Sequence, residues 1–201
     1  VKKINEMGGI VFRMGDASMT KMPKLDNCID YVHHKLKSDF MDVFLAATSK
    51  FCLGTSSGYF RIPRFFGVPV ILADCSNLSQ YFSLKSKDLF ISRPIKDLNS
   101  NKLVNFKKLL LPPYLYFTSD KEYKKNNLSV IANTEDEILE TTSEMIRKVF
   151  TKDEEKTETF LQKKFKLLAE KSIFESLGEK QNIFASIGAN FIKQYEYLLS
   201  D

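Results

Sequence analysis

Tryptophan is absent from this sequence of 201 residues, and cysteine and histidine are rare. The three cysteines, Cys28, Cys52 and Cys75, are odd in number and far apart, so they fit neither a disulfide framework nor a zinc knuckle. Two of them lie in or beside apolar runs, which indicates reduced packing residues. No apolar run approaches the roughly 18 residues that a membrane-spanning helix needs. The sequence therefore predicts a cytoplasmic protein without a transmembrane helix.

The totals are those of one folded domain with a modest positive charge. Hydrophobic residues make up 43% of the chain, which is enough for a real core. The net charge of +5 suits an anionic ligand or a membrane surface and is far from the bias of a dedicated nucleic-acid binder. Peripheral association with the inner face of a membrane is thus left open. Because the chain begins at Val1 rather than at a methionine, we expect a piece of a longer protein.

One motif organises the chain, Cys52-Leu53-Gly54-Thr55-Ser56-Ser57-Gly58. The apolar run over residues 51–53 predicts a buried strand that breaks at Gly54, and a helix is predicted to follow and to stop at Gly67. Glycine lets a backbone approach a ligand, the hydroxyls offer hydrogen bonds, and a helix start presents N–H groups to an anion. The motif is typical of a phosphate-binding turn, although many α/β proteins use such a turn only to change direction.

The remaining apolar runs predict a parallel α/β domain. Strands are expected over residues 10–12, 68–72, 88–92 and 128–131. The first ends in Arg13-Met14-Gly15-Asp16, the second in a polar loop over residues 73–77, and the third at Arg93-Pro94. Because open α/β sheets bind ligands at the carboxyl ends of their strands, Arg13 and Asp16 are candidate ligand residues. A surface Arg–Asp pair that closes a turn explains these two equally well.

Helices are predicted where capping residues precede a 3.6-residue apolar period. Ser38-Asp39 begins one, and Thr134-Glu135-Asp136-Glu137 is a capping box that begins another. Residues 118–127 are interpreted as a polar, lysine-rich loop. Residues 151–181 are highly charged and predict a surface helix, and residues 185–199 predict a last amphipathic helix.

Taken together, several motifs resemble bacterial glycosyltransferases of the GT-B fold, in particular the C-terminal half that carries the nucleotide-sugar site. There is a looser similarity to the fucosyltransferase branch. The resemblance runs from about residue 8 to the C-terminal helix. The residues that carry it are Val11-Phe12-Arg13-Met14-Gly15-Asp16, Ile29-Asp30-Tyr31, Met41-Asp42-Val43-Phe44-Leu45, the run from Phe51 to Gly58, Phe66-Gly67-Val68-Pro69 and Asn133-Thr134-Glu135-Asp136-Glu137-Ile138.

The resemblance implies a Rossmann-like, nucleotide-sugar-binding domain over residues 1–150, with a charged helical tail over residues 151–201 packing on it. It also implies transfer of a sugar from a nucleotide-diphosphate donor to a glycan acceptor, usually in surface polysaccharide synthesis, without a bound metal or other cofactor. The acceptor site and any catalytic base would come from an N-terminal domain outside this chain. We therefore expect donor binding without turnover by this chain alone.

Carried over residue by residue, the resemblance assigns the donor diphosphate to the organising motif and to one arginine. Arg13 would hold the diphosphate and Asp16 would orient Arg13 or contact donor hydroxyls. Asp30, Arg61 and Arg64 are secondary candidates for contacting or orienting the donor. The residues that would cradle the diphosphate are Gly54, Thr55, Ser56, Ser57 and Gly58.

Two other functions fit the same residues. A nucleotide-sugar 2-epimerase-like enzyme needs acidic and histidine residues at the sugar ring, and His33, His34 and Asp30 are the only such group. A GT-B-like domain that binds without catalysis is the other. The donor base and sugar, the acceptor and the linkage are set by pocket shape and by the absent domain, so the sequence does not specify them.

Overall fold

The computed structural model describes residues 1–150, 158–178 and 180–200. Nine strands are assigned within these residues, β1 (Val11–Phe12), β2 (Cys28–Ile29), β3 (Cys52–Gly54), β4 (Val70–Cys75), β5 (Leu89–Ser92), β6 (Ile95–Asp97), β7 (Lys102–Leu103), β8 (Leu128–Val130) and β9 (Ser186–Ile187). The α-helices of the same residues are α1 (Lys2–Asn5), α2 (Asp39–Thr48), α3 (Arg61–Phe65), α4 (Phe106–Leu109), α5 (Asp120–Lys125), α6 (Glu135–Phe150), α7 (Phe160–Leu177) and α8 (Ala189–Gln194). Short 3₁₀ turns cover Tyr31–His33, Leu78–Ser83, Tyr114–Tyr116 and Glu196–Leu199.

A four-stranded parallel sheet, in the order β3-β4-β5-β9, forms the centre of the fold. The two middle strands are apolar on both faces, and Ile71, Leu72 and Phe90 are completely buried. Parallel strands that are covered by helices on both sides have this continuous apolar pattern. The expected mixed α/β architecture with a parallel sheet flanked by helices is therefore confirmed.

β3 is an edge strand and is not buried as its apolar sequence suggested. Among the described strands its one partner is β4, and the side chain of Leu53 is 44% exposed. Position in the sheet, rather than composition, decides this, because an edge strand has one neighbour instead of two. The strand still ends at Gly54, as predicted, so the hydroxyl loop that follows it emerges at the carboxyl edge of the sheet.

The first predicted strand is present but lies in a different sheet. β1 pairs in parallel with β2 to make a separate two-stranded sheet, Val11 opposite Cys28 and Phe12 opposite Ile29. The predicted strand near residue 128 is also present, as β8, but it runs antiparallel to β6 in a three-stranded sheet. Apolar runs identify strands without specifying their partners, which explains both differences.

The segment interpreted as a lysine-rich loop contains the helix α5, so that interpretation was wrong. Ser119 and Glu122 form a capping box at its start, with the Ser119 N–H donating to a Glu122 carboxylate oxygen at 2.9 Å. Tyr123 is buried and anchors the helix, although its neighbours Lys121, Lys124 and Lys125 are exposed. One buried residue in six gives no visible 3.6-residue period.

The C-terminal part of the chain is built into the core rather than laid on its surface. Phe165, Ala169 and Ile173 of α7 are fully buried, and β9 supplies the fourth strand of the central sheet. The expected single helix over residues 185–199 is therefore replaced by β9, α8 and a 3₁₀ turn. The other part of the expected surface helix, residues 151–157 and residue 179, lies outside the described residues.

Gly188 shows how tightly this part is packed. A Cβ atom at this position would lie 2.9 Å from Ile91 Cγ2 and 2.9 Å from Thr141 Oγ1, closer than side chains tolerate. The glycine lets the chain leave β9 against β5 and α6. None of the helices in the described ranges is both long enough and apolar enough to span a membrane.

Candidate functional site

A polar cleft of about 310 Å³ lies at the carboxyl edge of the parallel sheet. Four segments of chain supply its walls, namely the loops that follow β3, β4 and β5 and the start of α5. The residues that line the cleft are Thr55, Ser56, Asp74, Ser76, Asn77, Gln80, Arg93, Thr118 and Asp120. Parallel strands all end at one edge, so loops that are distant in sequence converge there, as in other open α/β sheets.

Arg93 and Asp74 form a two-pronged ion pair on the wall of the cleft. The Nε–H of Arg93 donates to Asp74 Oδ1 at 2.8 Å, and its Nη2 donates to Asp74 Oδ2 at 2.5 Å. The bonds from Arg93 hold the pKa of the Asp74 carboxyl below its ordinary value, and the same bonds raise the pKa of Arg93. This side-on geometry leaves the Nη1 hydrogens of the guanidinium unused by any of the described residues, so they are available to a ligand.

Asp74 adopts a left-handed backbone conformation with φ of 53°. Aspartate tolerates this region better than most residues, but it is uncommon outside glycine and is held by surrounding contacts. Here the contacts come from Asn133, which accepts from the Asp74 N–H at 2.8 Å and donates its own N–H to Asp74 Oδ1 at 3.1 Å. The irregular last part of β4, where the register against β5 shifts, is thus held by Asn133, two residues before α6.

The opposite side of the cleft joins the loops after β3 and β4. The amide of Gln80 donates to the hydroxyl of Ser56, and Asn77 Oδ1 accepts from Ser79 N at 3.0 Å at the start of a 3₁₀ turn. The helix α5 is held against this wall by its residue Tyr123, whose hydroxyl donates to the Ser76 carbonyl at 2.7 Å. Hydrogen bonds between the loops therefore fix the groups that form this side of the cleft.

Cys75 lies behind the cleft and is fully buried. Burial raises the pKa of its thiol to about 11, so the thiol is protonated near neutral pH. A protonated thiol is a poor nucleophile. Covalent chemistry at Cys75 therefore has no support in this arrangement.

The structure divides the predicted diphosphate-binding motif. Thr55 and Ser56 line the cleft, while Gly54 at the end of β3 and Ser57 and Gly58 of the following loop do not. The Ser57 N–H is used within the loop, where it donates to the Thr55 carbonyl at 2.7 Å. The helix that follows, α3, begins only at Arg61 and has five residues, so its first turn is not directly behind the hydroxyls.

The predicted residues Arg13, Asp16 and Asp30 follow the strands of the separate two-stranded sheet and do not line the cleft. Nη1 of Arg13 donates to Asp30 Oδ1 at 3.0 Å and to the Thr20 carbonyl at 2.8 Å. Asp16 accepts from the Ser18 N–H at 2.8 Å, which is the usual bond of an aspartate that begins a turn. The hydrogen bond from the Met22 N–H is the main cause that lowers the pKa of Asp30, and the hydrogen bond from Arg13 lowers it as well.

Arg64 and Arg61, also predicted candidates, are placed apart from the cleft in different ways. Arg64 Nε lies 3.4 Å from Asp88 Oδ2, and Asp88 also accepts from the Val70 N–H at 2.9 Å. Because Asp88 precedes β5 and Val70 begins β4, Arg64 is at the amino edge of the sheet, opposite the cleft. Arg61 is exposed on α3 and does not line the cleft.

The histidines on which an epimerase would depend also lie elsewhere. His33 Nε2 is 2.9 Å from the Met19 carbonyl, and the side chain of His34 accepts from the Leu36 N–H at 3.2 Å. Neither lines the cleft. Within the described part of the chain, no three His, Cys, Asp or Glu side chains group together as metal ligands do.

The lining residues that sequence reasoning did not select are Asp74, Ser76, Asn77, Gln80, Arg93, Thr118 and Asp120. Asp74 and Arg93 follow predicted strands, so the strand-end rule that selected Arg13 applies to them as well. Thr118 and Asp120 were overlooked because residues 118–127 were interpreted as a solvated loop, although α5 begins there. Gln80 carries no sequence signal, because only the fold brings it to Ser56.

The fold and the cleft define this protein as a mixed α/β domain with a parallel sheet and a polar site at the carboxyl edge of that sheet. Comparisons of the chain with protein-family models, with curated proteins and with solved structures gave no match.

Proposed function

We propose that this chain is the donor-binding part of a glycosyltransferase and that the cleft binds a nucleotide-diphosphate sugar. One observation carries the proposal most directly: the guanidinium of Arg93, fixed by Asp74, borders a cleft lined by hydroxyl and amide groups at the carboxyl edge of a parallel sheet. That edge is where open α/β sheets bind nucleotides. The motif resemblance supports the same function, with transfer to a glycan acceptor in surface polysaccharide synthesis.

The lining of the cleft suits both parts of such a ligand. The diphosphate needs hydrogen-bond donors, which the outer N–H groups of Arg93 and the hydroxyls of Thr55 and Ser56 supply. Sugar hydroxyls need acceptors as well as donors, and Asp120 and Asn77 offer these. Because Asp74 and Asp120 are both acidic, fixed donors rather than net positive charge would hold the phosphates.

In this proposal, stabilisation of the departing nucleoside diphosphate falls to Arg93 and the β3 loop. Negative charge grows on the diphosphate as the sugar–oxygen bond breaks, and donors that are already aimed at it lower the barrier. The proposal uses no metal or other cofactor and assigns the acceptor site and the catalytic base to an N-terminal domain. It also keeps a cytoplasmic location, peripheral to the inner face of the membrane.

A thermal-shift screen against GDP, UDP, ADP, CMP and dTDP tests donor binding. One diphosphate should raise the melting temperature, since a ligand at a hundred times its Kd stabilises a protein by about 2.7 kcal/mol. Arg93→Gln should abolish the shift. Lys163→Gln, which removes the same charge from an exposed site on α7, is the control and should leave the shift unchanged.

Arg13→Gln separates the two routes to the diphosphate site. The motif resemblance implies that this variant loses the shift, and the geometry of the cleft implies that it retains the shift. If none of the five nucleotides stabilises the wild-type chain, the donor-binding proposal fails, and a domain that keeps the fold without nucleotide binding takes its place.

A further inference from the structure

Glu137 is a buried carboxylate that accepts more hydrogen bonds than its role in the cap of α6 uses. Its side chain is almost entirely excluded from solvent, and the Thr134 N–H donates to Oε2 at 3.0 Å as part of the helix cap. The other oxygen, Oε1, accepts from the Tyr195 hydroxyl at 2.7 Å and from the Gln194 amide at 3.3 Å. Tyr195 and Gln194 belong to the end of α8, so these two bonds contribute nothing to the cap itself.

Asn133 connects this carboxylate to Asp74 in the last part of β4. Its Nδ2 donates to Glu137 Oε2 at 3.0 Å and to the Ser92 carbonyl at 2.9 Å, while its Oδ1 accepts from the Asp74 N–H at 2.8 Å. Both amide hydrogens and the amide oxygen are therefore used, and the side chain has one orientation that satisfies them all. A rotation of Asn133 would break contacts on two strands at once.

Asp74 is the last link before the cleft, since its carboxylate holds Arg93 through two parallel bonds. A continuous line of hydrogen bonds thus runs from Tyr195 through Glu137, Asn133 and Asp74 to the guanidinium. Burial raises the pKa of the Tyr195 hydroxyl, which therefore stays a donor across the neutral range. The ring of Tyr195 packs on Phe191 with centroids 4.8 Å apart, which fixes the start of the line.

We infer that Glu137 and Tyr195 are positioning residues, which act through Asn133 to hold Asp74 in its left-handed backbone conformation and so aim Arg93 into the cleft. The inference rests on the proposed function for its consequence, which is tighter binding of the diphosphate. A purely structural role would give a different result. In that case the bonds would secure α8 against α6, and their loss would lower stability without altering Arg93.

The test compares Tyr195→Phe with Tyr81→Phe. Both variants remove a tyrosine hydroxyl that donates a hydrogen bond inside the core, since the Tyr81 hydroxyl donates to the Ala185 carbonyl at 2.8 Å, but Tyr81 has no link to Asp74. Glu137→Gln is a second variant that keeps the volume and removes the charge. All three are measured for melting temperature, so that a loss of stability is known for each.

The first readout needs no ligand. The Nε–H signal of Arg93 is identified in a ¹⁵N NMR spectrum by its loss in Arg93→Gln, and its hydrogen exchange is followed. We expect Tyr195→Phe and Glu137→Gln to speed this exchange by roughly two- to thirtyfold, the range over which network mutations alter coupling. Tyr81→Phe should leave it unchanged. Equal effects in Tyr195→Phe and Tyr81→Phe, or no effect in Tyr195→Phe, would overturn the inference.

The second readout is the Kd of the diphosphate that stabilises the wild-type chain. It should weaken by a similar factor in Tyr195→Phe and stay constant in Tyr81→Phe. A change in the Arg93 signal in a chain that binds none of the five nucleotides supports the positioning role and rejects the donor-binding function. If the wild-type chain binds a nucleotide but Tyr195→Phe changes neither the Arg93 signal nor the Kd, the donor-binding function is supported and the positioning role is rejected.

Discussion

The first 67 residues and the rest of the described chain are packed very differently. In the first part, the buried apolar side chains are Tyr31, Val32, Ala46, Phe60 and Pro63, and large apolar residues such as Phe40 and Phe65 are 73% and 84% exposed. In the second part, β4, β5, α7 and β9 enclose one continuous core. The cleft therefore lies between a well-packed part, which holds Arg93, and a loosely packed part, which supplies Thr55 and Ser56.

This difference bears on the candidate residues. The candidates predicted from the sequence and from the motif resemblance, Arg13, Asp16 and Asp30, lie in the loosely packed part, where ion pairs and turns account for their contacts. The groups that border the cleft with fixed geometry come from the well-packed part. A rigid wall that carries the anion-binding group is what preorganised recognition requires.

The largest contrast should appear in the stability of alanine variants. Leu72→Ala removes a fully buried side chain from β4 and should lower the free energy of unfolding by about 2–5 kcal/mol. Phe65→Ala removes an exposed side chain and should change it by no more than about 0.5 kcal/mol. Urea unfolding followed by far-UV circular dichroism measures both, because the chain has no tryptophan to report by fluorescence. A loss above about 1 kcal/mol in Phe65→Ala would show that this face is covered in solution and that the first part is packed more tightly than its exposed residues indicate.

Two helix caps, one in each part of the chain, test the same difference in packing. Ser38 Oγ accepts from Met41 N at 3.3 Å at the start of α2, and Thr159 Oγ1 accepts from Gln162 N at 3.3 Å at the start of α7. Thr159→Ala should lower the global free energy of unfolding by about 1 kcal/mol. Ser38→Ala removes the same bond from the loosely packed part, so we expect it to reduce hydrogen-exchange protection in α2 alone. Equal effects on global unfolding would indicate that the two parts unfold as one unit.

The smallest expected effect concerns the pH dependence of the Arg93–Asp74 pair. The pKa of Asp74 in the folded protein lies below its ordinary value of 3.8, chiefly because of the bonds from Arg93. The pair therefore adds its full stability above the unfolded-state pKa and loses it as the pH falls through the lower folded-state pKa. Asp74→Asn should be less stable than wild type at pH 6, and the difference should shrink towards pH 3. A difference that is the same at both values would contradict this assignment.

The sequence predicted those features that depend on local chemistry. Ser38 and Thr134 both cap the helices they were expected to cap, and the Thr134 hydroxyl accepts from the Glu137 N–H at 3.2 Å. The strands near Val11, Cys52, Val70, Leu89 and Leu128 are all present. Capping boxes and apolar runs are read within a few residues, so no knowledge of the fold is needed.

Features that depend on distant partners could not be predicted. Ser186–Ile187 is too short to show a strand pattern, and it becomes a strand only because the edge of β5 is free to pair with it. The same is true of the cleft, where Gln80 meets Ser56 and Asp74 meets Asn133 across different loops. Pairing between elements is decided by the whole core, which a local pattern does not contain.

The late position of β9 has a consequence for how the protein is made. Ser186 pairs with Leu89, so the partner of β5 leaves the ribosome about 100 residues after β5 itself. During that interval a strand that is buried in the final fold has an open edge, which is the kind of surface that chaperones protect and that neighbouring nascent chains can join. Synthesis that stops shortly before Ser186 would leave a chain with most of its core residues and an unsealed sheet, and such a product should aggregate rather than persist as a smaller folded domain.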